Sequence, residues 1–219
     1  IASSVLTEIN KKFSNKIRAE LLESMIEINT SICATVDDVE KDLKETLFYL
    51  EEILTNYKSM FNCTSLHPFS LGKKQVISNH PRYRRIMQDL QIIGRRFISQ
   101  GLHVHIGIEN NEKAIKVNNA LRIYLPPLLA LSASSPFFEG EDTGLHSYRT
   151  KLFEALPLAG MPDYLIDWNH FEQLTERLQK ARIIKSVKDL WWDVRPHPGF
   201  GTIEICICDI PINFSKILA

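Results

Sequence analysis

The sequence has no surplus of charge: 26 Lys and Arg balance 26 Asp and Glu in 219 residues. That balance argues against a protein that holds nucleic acid or another polyanion by bulk electrostatics. Long apolar runs are missing as well. The longest uncharged stretch, residues 123–138, has 16 residues and contains Pro126, Pro127 and Pro136. A membrane-spanning helix needs about 20 mostly apolar residues, so no membrane partner is expected. No basic segment followed by an apolar run opens the chain, so no signal peptide is expected. Cysteine is sparse. Cys33, Cys63, Cys206 and Cys208 follow neither a zinc-ligand nor a disulfide spacing, and a reducing cytoplasm is the simplest compartment. Internal repeats and low-complexity linkers are lacking too. The first residue is Ile rather than Met, which suggests a piece of a longer protein.

What is present is ordinary globular material. Hydrophobic residues make up 44% and charged residues 24%, enough for a sizeable core without disulfides. Apolar spacing predicts helices over residues 3–14, 36–60, 81–99 and 111–125, the last ended by Pro126-Pro127. Thr35, with Asp38 three residues on, is the expected cap of the second. Arg82, Arg84, Arg85, Arg95 and Arg96 read as the solvated face of the third rather than a phosphate site. Asp167 should open a further helix carrying Phe171, Leu174 and Leu178. Strands are expected at 102–108, 190–195 and 202–208, the last two joined by the hairpin-like HPGFG run at 197–201. Residues 132–149 read as a polar loop over a site.

Three segments share one property: an apolar face backed by a face of metal-competent side chains. In 102–108, His103 and His105 oppose Leu102, Val104, Ile106 and Ile108. In 202–208, Thr202, Glu204, Cys206 and Cys208 oppose Ile203, Ile205 and Ile207. In 23–29, Glu23 and Glu27 oppose Ile26 and Ile28. An antiparallel sheet can bury one face and leave the other open. Such an open face would gather Glu23, Glu27, His103, His105 and Glu204, with Asp193 and Arg195 near it. Crowded carboxylates repel, so a divalent cation or an arginine is needed between them. Oxygen donors with one imidazole favour magnesium or manganese over zinc. A His-x-His strand alone also occurs in other metal sites, which leaves a metal hydrolase built on His103 and His105 as a weaker possibility. Cys206 and Cys208 read as half-buried small residues rather than ligands. One of Trp191 and Trp192 belongs to the core.

Six segments in order resemble one family: ELLESMIEINT (20–30), HPFS (67–70), GLHVHIGI (101–108), LPPLLALSASSPFFEGEDTGLHSYR (125–149), LPLAGMPDY (156–164) and WWDVRPHPGFGTIEICICD (191–209). These are similar to the carboxylate-amine ligases, the type-two relatives of bacterial glutamate–cysteine ligase. The resemblance covers about residues 15–215. It implies an α+β, glutamine-synthetase-like catalytic domain over 1–219: a curved antiparallel sheet with helices on its outer face, lacking an N-terminal strand and the C-terminal helices. It implies ATP and magnesium or manganese. A substrate carboxylate, typically that of glutamate, would take the γ-phosphoryl group, and an amine such as that of cysteine would capture the acyl phosphate.

By motif position, Glu20 and Glu27 resemble ligands of one metal, and His103 and Glu204 ligands of another. Glu20 and Glu27 are seven residues apart, so they share a face only if the chain bends near Leu21-Leu22; otherwise Glu23 takes the place of Glu20. Arg149 and Glu204 are the expected catalytic residues. Arg149 resembles a clamp for the substrate carboxylate, and His105 and Arg195 would line the funnel or touch phosphate. The chain departs from the family at Cys206, where an arginine is usual, and shows no Glu-x-Glu strand before Glu20. These departures leave open a second reading, a member that binds nucleotide or substrate without turnover. A homodimer is a plausible assembly.

Overall fold

The computed structural model describes all of residues 1–219. The chain is a mixture of helices and small antiparallel sheets, the α+β class expected. It divides into two compact units. One comprises Ile1–Cys63, Phe69–Ile98 and Ile212–Ala219; the other comprises Thr64–Pro68 and Ser99–Pro211.

In the first unit, helix α1 (Ala2–Glu8) is shorter than the 3–14 span expected. The Asn10 side chain accepts from the Lys12 amide at 3.0 Å, and Tyr49 Oη accepts from the Asn10 amide at 2.9 Å. This Asx turn competes with the helix and swings Phe13 onto the Tyr49 ring, 4.2 Å away and stacked. Strand β1 (Ile17–Ala19) pairs antiparallel with β2 (Ile26–Ile28), with Arg18 opposite Glu27. Between them the chain bends at Leu21 and turns tightly, Met25 N donating to Leu22 O at 2.9 Å.

Helix α2 (Val36–Asn56) opens on the expected capping box of Thr35 and Asp38. It buries Leu50, Ile53 and Leu54 against Val5, Phe13 and Ile17, while Val36 in its first turn stays exposed. The single helix expected over 81–99 is broken. Helix α3 (Pro81–Leu90) and helix α4 (Ile92–Arg96) meet at Gln91, whose φ is +50°. The break lets Gly94 pack under Met87, where an added Cβ would come within 2.9 Å of the sulfur.

The second unit is built on a three-stranded antiparallel sheet. Strand β3 (Val104–Gly107) follows residues 64–68 and 99–103 in this unit. Helix α5 (Asn111–Leu121), capped by Asn110, runs into a 3-10 turn and then helix α6 (Leu125–Ser132). Pro126 and Pro127 therefore do not stop a helix as expected. They occupy the first turn of α6, where a missing N–H costs nothing. Residues 133–148 are mostly irregular and hold a two-residue ladder between β4 (Phe137–Phe138) and β5 (Glu141–Asp142). Helix α7 (Arg149–Glu154) and helix α8 (Trp168–Lys180) follow, the latter capped by Asp167 as expected.

Strands β6 (Val194–His197) and β7 (Thr202–Ile205) complete the sheet in the order β3–β7–β6. Strand β6 starts four residues later than the 190–195 span expected. Pro196 sits on the edge strand, where a lost donor is tolerated. Pairing continues past the ladder: Cys206 N donates to Asp193 O at 2.8 Å, and Leu102 N to Cys208 O at 3.1 Å.

The apolar sheet face packs Val194, Ile203, Ile205 and Ile207 against Ala114 and Leu125. Leu102 and Ile108 join this core, but Val104 and Ile106 are 37% and 48% exposed. Helix α5 lies over β6 and β7 and leaves the middle of edge strand β3 uncovered. A second cluster gathers Phe171, Leu165 and Leu190 with Trp192, the tryptophan that enters the core. The last helix, α9 (Phe214–Leu218), belongs to the first unit, with the Lys44 ammonium 5.9 Å from the Phe214 ring. No helix is long and apolar enough to cross a membrane.

Candidate functional site

The face of the three-stranded sheet opposite the core carries the polar side chains. His105 on β3, Glu204 on β7 and Arg195 on β6 occupy one register. Residues directly opposite share a face, so the three side chains form a row across the strands. Arg195 Nε donates to Glu204 Oε2 at 2.8 Å. On the other oxygen, Oε1, His103 Nδ1 lies at 3.3 Å and His105 Nε2 at 3.7 Å. His105 Nδ1 meets Thr202 Oγ1 at 2.9 Å, which fixes its ring. Phe200, in the β6–β7 connection, stacks on His197 at 4.3 Å and meets His105 edge-on.

Glu204 is 4% exposed. Burial alone would raise its carboxyl, but hydrogen bonds from His103 and Arg195 and the Arg195 charge outweigh it. The carboxyl is held well below its ordinary range. Burial keeps His105 and His197 more readily neutral than free imidazoles, with the nearby Glu204 opposing the shift. Arg195 also donates to the carbonyls of Leu190, Val187 and Lys188. Burial would lower its pKa, but the hydrogen bond and the charge of Glu204 outweigh that and raise it above an ordinary guanidinium.

Cys206 follows β7 on the same face. Its sulfur, a His103 ring nitrogen and a Glu204 oxygen all lie within 4.8 Å of one another. Burial, and then Glu204, push the thiol upward.

Arg149, the expected substrate clamp, is 2% exposed. Its Nη1 and Nη2 donate at 3.1 Å to the carbonyls of Ile207 and Cys206, and its guanidinium lies 4.4 Å from the Phe153 ring centre. Asp209 Oδ1 is 3.9 Å from Nη1. Desolvation lowers the Arg149 pKa, against the pull of Asp209. The backbone at Gly101 threads past this guanidinium. A Cβ there would sit 2.4 Å from Arg149 Nη2 and 3.1 Å from His103 Nε2. Asp209 is fully buried and accepts from Ser134 N, Ser135 Oγ and Ser147 Oγ. Sequence reasoning did not single out Asp209 as the carboxylate that gathers these serines. The spacing of TIE-x-x-x-x-D was the available signal.

In the first unit the bend at Leu21 expected for the Glu20 and Glu27 pair is present. Tyr83 reports on both carboxylates. Its hydroxyl donates to Ala19 O at 3.1 Å, and burial together with the charges of Glu20 and Glu27 pushes it up to about 12. Glu23 points elsewhere, accepting from Ser3 N at 3.3 Å.

The donor chemistry of the two groups differs. Glu20 and Glu27 offer only carboxylate oxygens, the donor type that magnesium and manganese take. His103 and Glu204 fit such an ion less fully than the sequence suggested, because the third donor within reach is sulfur.

A family model described as glutamate-cysteine ligase family 2 (GCS2) matches residues 2–219. A protein of Frankia alni named "Putative glutamate--cysteine ligase 2-1" is 40% identical over 209 residues, which are 95% of this chain and 55% of that protein. Proteins named "Putative glutamate--cysteine ligase 2" from Thermobifida fusca and Gloeobacter violaceus are each 42% identical. The matched segments cover 93% of this chain in both cases, and 51% and 55% of those proteins. The chain spans about half the length of the curated relatives it matches.

Proposed function

This chain belongs to glutamate–cysteine ligase family 2, and on that premise we propose that it is part of an ATP-dependent carboxylate-amine ligase. The reaction forms an amide of the γ-glutamyl-cysteine type. The substrate carboxylate attacks the γ-phosphorus of ATP and expels ADP. The amine nitrogen then attacks the acyl phosphate, expels inorganic phosphate and loses a proton. A glutamine-synthetase-like arrangement, in which the sheet's polar face lines the site, belongs to the same proposal.

The observation that carries it is the row His105, Glu204 and Arg195 with His103 beside it. Phosphoryl transfer asks the protein for positioning and charge neutralisation rather than covalent help. Glu204 is held ionised and oriented by Arg195 and His103. Magnesium or manganese, when bound, would neutralise phosphate charge, with Glu20 and Glu27 holding one ion and His103 and Glu204 another. Arg195, whose Nε and Nη1 are committed to Glu204 and to backbone carbonyls, would reach a phosphate oxygen only through Nη2, and His105 would line the face beside it. Arg149 acts on the site through the backbone of Cys206 and Ile207, whose carbonyls it holds.

The test is ADP formation from ATP with glutamate and hydroxylamine, which traps an acyl phosphate as a hydroxamate. Turnover is expected to need the divalent cation and to vanish in Glu204→Ala and His103→Ala. Undiminished turnover in both variants would remove this face as the site. The second reading, binding without turnover, is favoured by the Cys206 thiol, which brings no positive charge to a transferring phosphoryl group. Calorimetric heat of ATP–magnesium binding without ADP or hydroxamate would establish that reading instead.

A further inference from the structure

We propose that Asp193 receives the ammonium group of the amine substrate and takes up its proton as the amide forms. The inference rests on the ligase reading and supplies a base to its second step. Asp193 directly precedes β6. Trp192 and Val194, on either side of it, are buried in the apolar clusters, so the Asp193 side chain shares the opposite face with Arg195. Its carbonyl accepts from the Cys206 amide at 2.8 Å, and its amide donates to Gly160 O at 2.9 Å, which anchors the residue from both sides. A second row of polar side chains, His103, Cys206 and Asp193, thus lies beside the row of His105, Glu204 and Arg195. Opposed side chains on neighbouring strands have Cβ atoms about 5 Å apart, and residues two apart along one strand are spaced by about 7 Å. An acyl carbon whose phosphate meets the first row is therefore within reach of a nucleophile held at Asp193.

Asp193 is half-buried, and its carboxylate oxygens make no hydrogen bond or ion pair. Glu204, by contrast, is committed to Arg195 and His103, and Asp209 to Ser134, Ser135 and Ser147. Arg149 and Glu154 act on Asp193 from α7: burial raises its pKa, Arg149 opposes the rise and Glu154 adds to it. Cys206 faces it from β7 and Arg195 follows it on β6, while residues 156–160 bring no titratable side chain. A carboxylate raised in this way holds a proton more firmly than an ordinary one, as a general base must. The amine arrives as an ammonium ion. One nitrogen–hydrogen bond breaks, the proton passes to an Asp193 oxygen, and the nitrogen electron pair is freed. That pair forms the bond to the acyl carbon, the bond from this carbon to the phosphate oxygen breaks, and the leaving phosphate takes the bonding electrons and a second proton from nitrogen. The Asp193 proton then leaves to solvent.

The experiment compares two nucleophiles on the parent chain and on Asp193→Asn, with ATP, magnesium and glutamate present. Cysteine carries an ammonium group at neutral pH and needs a base; hydroxylamine is largely uncharged there and does not. Asp193→Asn is expected to lower kcat for the cysteine amide by about 10²–10⁴-fold, the contribution of a positioned base, while hydroxamate still forms and the KM for ATP holds. A structural role alone would lower both products together. In the parent chain, kcat/KM for cysteine is expected to stay level from neutral pH down to the raised Asp193 pKa and to fall below it. Without the base it would fall steadily over the whole range, following the free amine. If Asp193→Asn fails to fold by circular dichroism, this profile decides. Equal loss of both products, undiminished amide formation in Asp193→Asn, or the steady fall overturns the assignment. Undiminished amide formation in the variant leaves the ligase reading standing. Absence of both products in the parent chain removes that reading, and the role of Asp193 with it.

Discussion

Arg195 Nε and Glu204 Oε2 meet at 2.8 Å from positions that are paired across two neighbouring strands. Backbone register, not side-chain reach, sets this contact. Both side chains are largely buried, and His103 together with this guanidinium holds the carboxyl well below its ordinary range against its burial.

Arg195→Leu is therefore expected to leave Glu204 buried without its strongest partner. Removing one member of a buried pair costs about 3–5 kcal/mol, read as a lower midpoint in urea at neutral pH. The double variant Arg195→Leu, Glu204→Gln should recover part of the loss. A single variant as stable as the parent chain would show that Glu204 is solvated in solution.

Gly101 and Gly107 make a contrasting pair. A Cβ at Gly101 would collide with Arg149 and His103, whereas one at Gly107 meets nothing within 4 Å. Gly101→Ala is expected to cost about 1–3 kcal/mol, the usual penalty of overpacking, and Gly107→Ala to be near neutral. Thermal unfolding followed by circular dichroism checks both, and equal melting temperatures would contradict the close approach at Gly101.

Arg149→Lys keeps the charge but loses the planar fork that reaches two carbonyls. Leaving a buried carbonyl unpaired costs about 1–3 kcal/mol, so this variant should unfold at lower urea than the parent chain. Amide hydrogen exchange should also quicken around residues 206–209. Unchanged exchange there would mean that the guanidinium does not anchor this segment.

Tyr83 gives a pH dependence of definite sign. Its folded pKa is raised to about 12 from an ordinary 10.0. The stability it contributes is therefore complete below pH 10 and is lost as pH rises toward 12. Tyr83→Phe should remove the highest-pH step from the ultraviolet tyrosinate titration and reduce the fall in stability over that window. A titration in which all tyrosines ionise together near pH 10 would separate Tyr83 from Glu20 and Glu27.

Much of this arrangement is written locally. The alternation in LHVHIGI and TIEICIC puts His103 and His105, and Glu204 and Cys206, on single faces because successive side chains of a pleated strand point to opposite sides. The α2 cap and the Asp167 cap follow from residues three apart. Helix lengths were less legible, since the Asx turn at Asn10 and the break at Gln91 answer to Tyr49, Met87 and other partners that periodicity cannot see.

The sequence by itself determined which residues share a strand face, where the strongest caps lie and which family the motifs belong to, because each of these is carried by neighbours a few positions apart. The tertiary structure alone decided that β7 lies between β3 and β6, which sets His105, Glu204 and Arg195 in one row. It alone turned Arg149 inward, onto carbonyls 57 and 58 residues away. Strand order and the satisfaction of a buried guanidinium depend on contacts between distant segments, and no local pattern encodes those.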